Sequence, residues 1–138
     1  MPEYPVLMHT ALDATDCRGL AEFYRLLLGL HYRPGDEAPA DGGPDDADWL
    51  VLLDEAGRRV LAFQQVPSLA RPDWPAHGVP KQMHQDYRVA DAQELMRQRH
   101  RAEDLGATLL HDRTDEPDEP LVVLADPAGH PFCLLVAP

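Results

Sequence analysis

The sequence predicts an α+β chain built as two successive modules, each running strand, helix, then three strands (βαβββ). Three observations carry this. Four landmarks recur in the same order in both halves. A helix signature with a capping residue and a glycine stop occurs once per half. Short β-like runs then follow each helix and share an Asp-x-x-Gly turn. The landmarks pair His9 with His84, Asp16 with Asp91, Leu28-Gly29 with Leu105-Gly106, and Asp54 to Gly57 with Asp126 to Gly129. Their offsets are 75, 75, 77 and 72 residues, which points to a duplicated unit of about 70 residues.

Residues 6–13 suit a first strand despite imperfect alternation. Thr15 or Asp16 then caps a helix over 17–28, since a short side-chain oxygen accepts from an orphan amide of the first turn. Leu20, Phe23, Tyr24, Leu27 and Leu28 recur at i, i+3, i+4, i+7 and i+8, so one face is apolar. Gly29 ends the helix because glycine tolerates the left-handed conformation. Runs around 30–33, 48–53 and 59–65 supply three strands, with Asp54 to Gly57 as the last hairpin turn. In the second half Asp91 caps, with Glu94 three residues on as capping-box partner. Leu95, Met96, Ala102 and Leu105 supply that helix's apolar face, and strands follow at 107–111, 121–125 and 131–136.

The modules cover about 5–66 and 80–138, joined by a linker of about 67–79 stiffened by prolines. Residues 34–46, rich in Pro and Gly and without a basic residue, read as a mobile loop. The acidic run Asp112 to Glu119 reads as a solvated loop, and Arg97, Arg99, His100 and Arg101 as the solvated face of the second helix.

Composition narrows the function classes. The chain has 138 residues, with 12 Lys+Arg against 24 Asp+Glu, a formal charge of −12. That charge repels phosphate backbones, so nucleic acid is not an expected partner. No apolar run reaches the length of a membrane span, and no signal-peptide pattern opens the chain, so a cytoplasmic protein with no membrane partner is expected. Cys17 and Cys133 are too few for a disulfide framework. Ser68 is the single serine and has no nucleophile-elbow context, and no glycine-rich phosphate loop is present.

The patterns His9…Asp16…Ala21-Glu22-Phe23-Tyr24…Leu28-Gly29-Leu30 and His84-Gln85-Asp86…Asp91…Leu105-Gly106-Ala107, with Asp126-Pro127-Ala128-Gly129-His130-Pro131-Phe132-Cys133, resemble the vicinal oxygen chelate superfamily. That group includes glyoxalase I, bleomycin-resistance proteins and extradiol dioxygenases. Ala62-Phe63-Gln64-Gln65-Val66 and the stretch from Trp74-Pro75 to Gln82-Met83-His84-Gln85-Asp86 are most similar to the small glyoxalase-like domain proteins. The resemblance covers nearly the whole chain. It implies one glyoxalase-like domain over 1–138, its two modules forming a paired, partly open mixed β-sheet around a central cleft, and a homodimer. It also implies metal-ligand positions on the first and last strands of each module, which fall on His9, Ala62, His84 and Cys133. The second and fourth are usually glutamates in glyoxalase I-like members and here are not.

No cofactor is therefore expected. The conditional alternative is a divalent Zn, Ni, Mn or Fe ion on His9, His84 and Cys133, imidazole and thiolate being good zinc ligands. The bland reading makes Cys133 a buried small hydrophobe and the histidines hydrogen-bonded side chains. By strand alternation a cleft holding His9 and His84 also holds Asp13, Gln64, Gln82 and Asp86, with Leu61 and Phe63 under the helix. Trp74 stands as a pocket wall, and Trp49 as core. The expected ligand site is thus His9, Gln64, Trp74, Gln82, His84 and Asp86, with Asp86 either a proton-transfer partner of His84 or a structural one; no catalytic residue is assigned. The expected function is binding of a small organic molecule beside a degenerate metal site, the acidic charge favouring a cationic natural product. The alternatives are a metal-dependent lyase, isomerase or dioxygenase using His9 and His84, and a structural or regulatory dimer without a small ligand.

Overall fold

The computed structural model describes residues 3–137. The chain divides into two units, Met1–Leu69 and Ala70–Pro138. The first contains β1 (Thr10–Ala14), α1 (Cys17–Leu28), β2 (His31–Tyr32), β3 (Trp49–Leu53) and β4 (Arg59–Gln65). The second repeats the plan with β5 (Gln85–Val89), α2 (Ala92–Leu105), β6 (Thr108–Arg113), β7 (Leu121–Ala125) and β8 (Pro131–Val136). Each unit is a βαβββ module with an open four-stranded mixed sheet, in the orders β1-β4-β3-β2 and β5-β8-β7-β6. The first strand of each pairs parallel with the last, and the remaining pairs are antiparallel. The fold is α+β, as the duplicated pattern requires.

Local chemistry explains the helices. The Asp16 carboxylate accepts from the Gly19 amide at 3.0 Å, and Asp91 accepts from Glu94 at 2.8 Å, so each helix opens on a satisfied donor. Gly29 sits at φ 69°, ψ 39°, the left-handed stop that a β-carbon would strain. Gln65 adds a second lock on α1: its Oε1 accepts from the Cys17 amide at 2.9 Å, and its Nε2 donates to the Thr15 carbonyl. Tyr24 stacks on Phe63 of β4 with ring centroids 5.9 Å apart. Leu20, Phe23, Leu50, Leu52 and Leu61 are buried with them. In the second module Leu95, Ala102, Val122, Leu124, Phe132 and Leu134 form the core.

Several details differ from expectation. The first strand begins at Thr10 rather than near Val6, and Val6, Leu7 and Met8 are exposed. Glu94 does not complete a capping box; Arg97 and Gln98 take its carboxylate through side-chain bonds one turn on. β6 runs to Arg113, two residues into the supposed loop, because a bulge between Leu109 and His111 shifts its register. Arg99 is no solvated cation: it bonds Glu103 at 3.1 Å and Asp112 at 2.9 Å. The 34–46 loop is likewise tied down. Arg18 donates to Asp45 and to the Asp36 carbonyl, both at 2.6 Å, and Asp36 accepts from the Val51 amide at 2.9 Å. The neutralising base came from the helix, not from the loop.

Candidate functional site

The open face of the second sheet carries a groove, and strand register builds it. His111 of β6 pairs with Val123 of β7, Val123 with Cys133 of β8, and Cys133 with Asp86 of β5. This row runs across all four strands, and alternation puts Arg113, Leu121, Pro131 and Cys133 on the same face. Val122, Leu124, Phe132 and Leu134 alternate onto the opposite, buried face. Trp74, Lys81 and His84 close the groove from the segment that precedes β5. The volume of the groove is about 250 Å³.

Ring contacts fix one wall. The Trp74 ring meets His111 edge-on at 6.0 Å, and the Lys81 ammonium lies 5.0 Å from its centroid. On the other side His84 Nε2 stands 3.4 Å from an Asp86 carboxylate oxygen. One ligand atom each from His84, Asp86 and Cys133 lies within 4.8 Å of the others. The Cys133 thiol is pushed up to about 11, first by burial and then by the hydrogen bond to Asp86 and that carboxylate's charge. Cys133 is therefore a neutral thiol at physiological pH.

The first module contains the remaining expected residues. His9 immediately precedes β1, as His84 immediately precedes β5. Its ring is 5.8 Å from Trp49, which is half-buried. His9 Nδ1 is buried without a hydrogen-bond partner among the described residues. Burial, then the nearby charges of Arg59 and Arg33, lower the His9 pKa, so the ring is held neutral. Ala11 pairs with Ala62 as Asp86 pairs with Cys133, so Ala62 and Cys133 are equivalent positions. Ala62 is fully buried and offers no donor. Gln64 is exposed on β4 and pairs with Asp13 and Trp49.

The sequence matches the glyoxalase-like domain family over residues 9–135. The chain belongs to that family. No curated protein matches it. Among solved structures, a glyoxalase/bleomycin resistance protein/dioxygenase family enzyme from Burkholderia phytofirmans is similar at TM-score 0.66 and 14% identity, covering 94% of this chain and 96% of that one. The fosfomycin resistance protein FosX from Listeria monocytogenes gives 0.67 and 15%, with coverage of 98% and 95%. Lactoylglutathione lyase from Agrobacterium tumefaciens gives 0.60 and 21%, covering 99% and 96%. At these identities the likeness establishes the fold. A variant of the Listeria protein was solved with Mn(II) and 1S,2S-dihydroxypropylphosphonic acid.

Within this glyoxalase-like chain, the groove gathers three of the expected residues, Trp74, His84 and Cys133, with Asp86 at its edge. Gln82 is exposed and outside the lining, while His9 and Gln64 belong to the first module. Lys81, His111, Arg113, Leu121, Val123 and Pro131 were not anticipated. The available signal was alternation: residues 121 and 123, and 131 and 133, share one face. His84, Asp86 and Cys133 suit a zinc-type ion, since imidazole, carboxylate and thiolate are all zinc ligands. Binding there would have to expel the Cys133 proton. No helix is long and apolar enough to cross a membrane.

Proposed function

We propose that this glyoxalase-like protein binds a small organic molecule in the groove of its second module, beside a metal site degenerate by its family's pattern. The observation that carries the reading is the lining: Trp74, Leu121, Val123 and Pro131 offer apolar surface, and Lys81, His84, His111 and Arg113 offer polar contacts. A mostly apolar concavity with a few convergent polar groups is the usual form of a ligand site. The degenerate site follows from Ala62, which fills a ligand position with a methyl group. Its proposed setting is a cytoplasmic homodimer; exposed Val6, Leu7 and Met8 supply apolar surface for a partner.

A ligand-observed NMR screen of low-mass fragments tests this. Fragments are expected to bind the parent chain and to be lost in Leu121→Trp, which fills the groove from a half-exposed position. No hits, or hits indifferent to Leu121→Trp with the fold intact, would overturn it.

The cluster of His84, Asp86 and Cys133 favours a second reading, a metal-dependent lyase, isomerase or dioxygenase. A bound divalent ion would supply Lewis acidity to vicinal oxygens. In that reading the three side chains hold the ion, and His9 stays a neutral imidazole in the first module. Elemental analysis after Zn²⁺, Ni²⁺, Mn²⁺ or Fe²⁺ loading tests it: about one retained ion per chain, lost in His84→Ala, supports it. No retention retires it.

A further inference from the structure

We infer that the ligand of this groove is a small organic anion, its acidic head held by Lys81 and Arg113 and its body laid against Trp74. This rests on the groove being the binding site and names the class of molecule it takes. The chain carries twice as many acids as bases, 24 against 12, yet no Asp or Glu is among the residues lining the groove. The formal cations of the lining, Lys81 and Arg113, are thus not matched by a carboxylate within it. A cationic natural product, the ligand the overall charge suggests, would enter against Lys81 and Arg113.

Local neighbours leave these cations available. Among the described residues Lys81 makes no ion pair; its ammonium lies over the Trp74 ring at 5.0 Å. Arg113 Nη2 is 3.8 Å from Glu116, beyond hydrogen-bond range, and both side chains are about half exposed. Such a pair is weak and readily exchanged for a better acceptor. The planar guanidinium fork can then take a carboxylate or phosphonate bidentately. Asp86, the acid at the groove's edge, faces His84. Glu119 lies farther along, within electrostatic range of Cys133.

The rest of the groove selects the body of the ligand. Trp74 contacts both Lys81 and His111, which favours one ring orientation before anything binds. Leu121 and Val123 provide an apolar floor beside it. A volume of about 250 Å³ is the share of roughly eight waters at about 30 Å³ each. That accommodates a monocyclic or short branched acid.

The test is fluorescence titration of the full chain carrying Trp49→Phe, which leaves Trp74 as sole reporter, with benzoate, phenylphosphonate, benzamide and benzylamine. Amide shifts of residues 81 and 113 in the unsubstituted chain give an independent readout should Trp49→Phe perturb folding. An acid is expected to saturate with Kd on the order of 1 mM, and benzamide and benzylamine to bind at least about tenfold more weakly. Lys81→Gln and Arg113→Gln should each weaken the acid by about tenfold, with unchanged circular dichroism. Benzoate ahead of phenylphosphonate assigns a carboxylate head, and the reverse order a phosphonate-like one. Benzamide or benzylamine binding as tightly as the acids, or acids indifferent to both substitutions, overturns the inference while groove binding stands. Silence from all four probes, with no fragment hits in the screen, overturns both.

Discussion

The Asp126 carboxylate, 1% exposed, organises the turn that delivers Pro131 and Cys133 to the groove. Its Oδ1 accepts from the Ala128 amide at 2.9 Å and the His130 amide at 3.0 Å. Backbone bonds close the same turn, Gly129 to Asp126 at 2.8 Å and Asp126 to His130 at 2.9 Å. Asp126→Ala removes the acceptor of two part-buried donors. An unsatisfied buried donor costs about 1–3 kcal/mol, and partial access to water lowers the sum, giving about 2–4 kcal/mol. Against a typical total of about 5–15 kcal/mol that is a large loss. The duplicated turn is an internal control. Asp54 accepts from Ala56 and Arg58, each at 2.9 Å, but its side chain is 28% exposed, so water replaces it more readily. Urea unfolding with a constant m-value reads both variants. Asp126→Ala should lose clearly more stability than Asp54→Ala, and Asp126→Asn, which keeps an acceptor, should recover most of the loss. Equal losses in the two turns, or no recovery with asparagine, would refute the assignment.

Other outcomes follow from charge and burial. In a Cys17→Ala background, Cys133 should be alkylated roughly a hundredfold more slowly at pH 8 than an exposed thiol, because its raised pKa leaves little thiolate. The rate should climb toward pH 11 and rise in Asp86→Asn; ordinary thiol kinetics would contradict both. His9 has a lowered pKa in the folded chain, so the unfolded chain binds the extra proton and stability falls as pH drops below about 6.5. Thermal melts should show His9→Phe losing that part of the acid sensitivity, and an unchanged pH profile would count against it. Arg18→Gln should speed proteolysis within 34–46 several-fold by releasing Asp45 and the Asp36 carbonyl. Unaltered cleavage would mean the loop is held by other contacts.

Much of the fold was legible because duplication prints the same signals twice. Asp16 and Asp91 cap, Gly29 and Gly106 stop, and the Asp-x-x-Gly turns close hairpins in both halves, so each reading checked the other. The equivalence of Ala62 and Cys133 as ligand positions, implied by the family resemblance, agrees with the strand register. What sequence missed is tertiary. Gln65 locks the start of a helix 48 residues away from it, and Arg18 reaches a loop that carries no base. Neither has a local signal. The site was half legible. His84, Trp74 and Cys133 stood out as residue types, but Arg113 joins the groove only because the bulged β6 continues to it, and Lys81 because the segment before β5 folds over the sheet. Overall charge is a poor guide to a site for a related reason: it averages over loops, whereas a groove samples a handful of side chains.

The most direct measurement of the central claim is a set of ¹H–¹⁵N correlation spectra of the full chain titrated with the best fragment from the screen. The account predicts saturable shifts centred on residues 81, 111, 113, 121, 123 and 133, with His9 and Trp49 little moved. Shifts centred on the first module with residues 111–133 silent would contradict it.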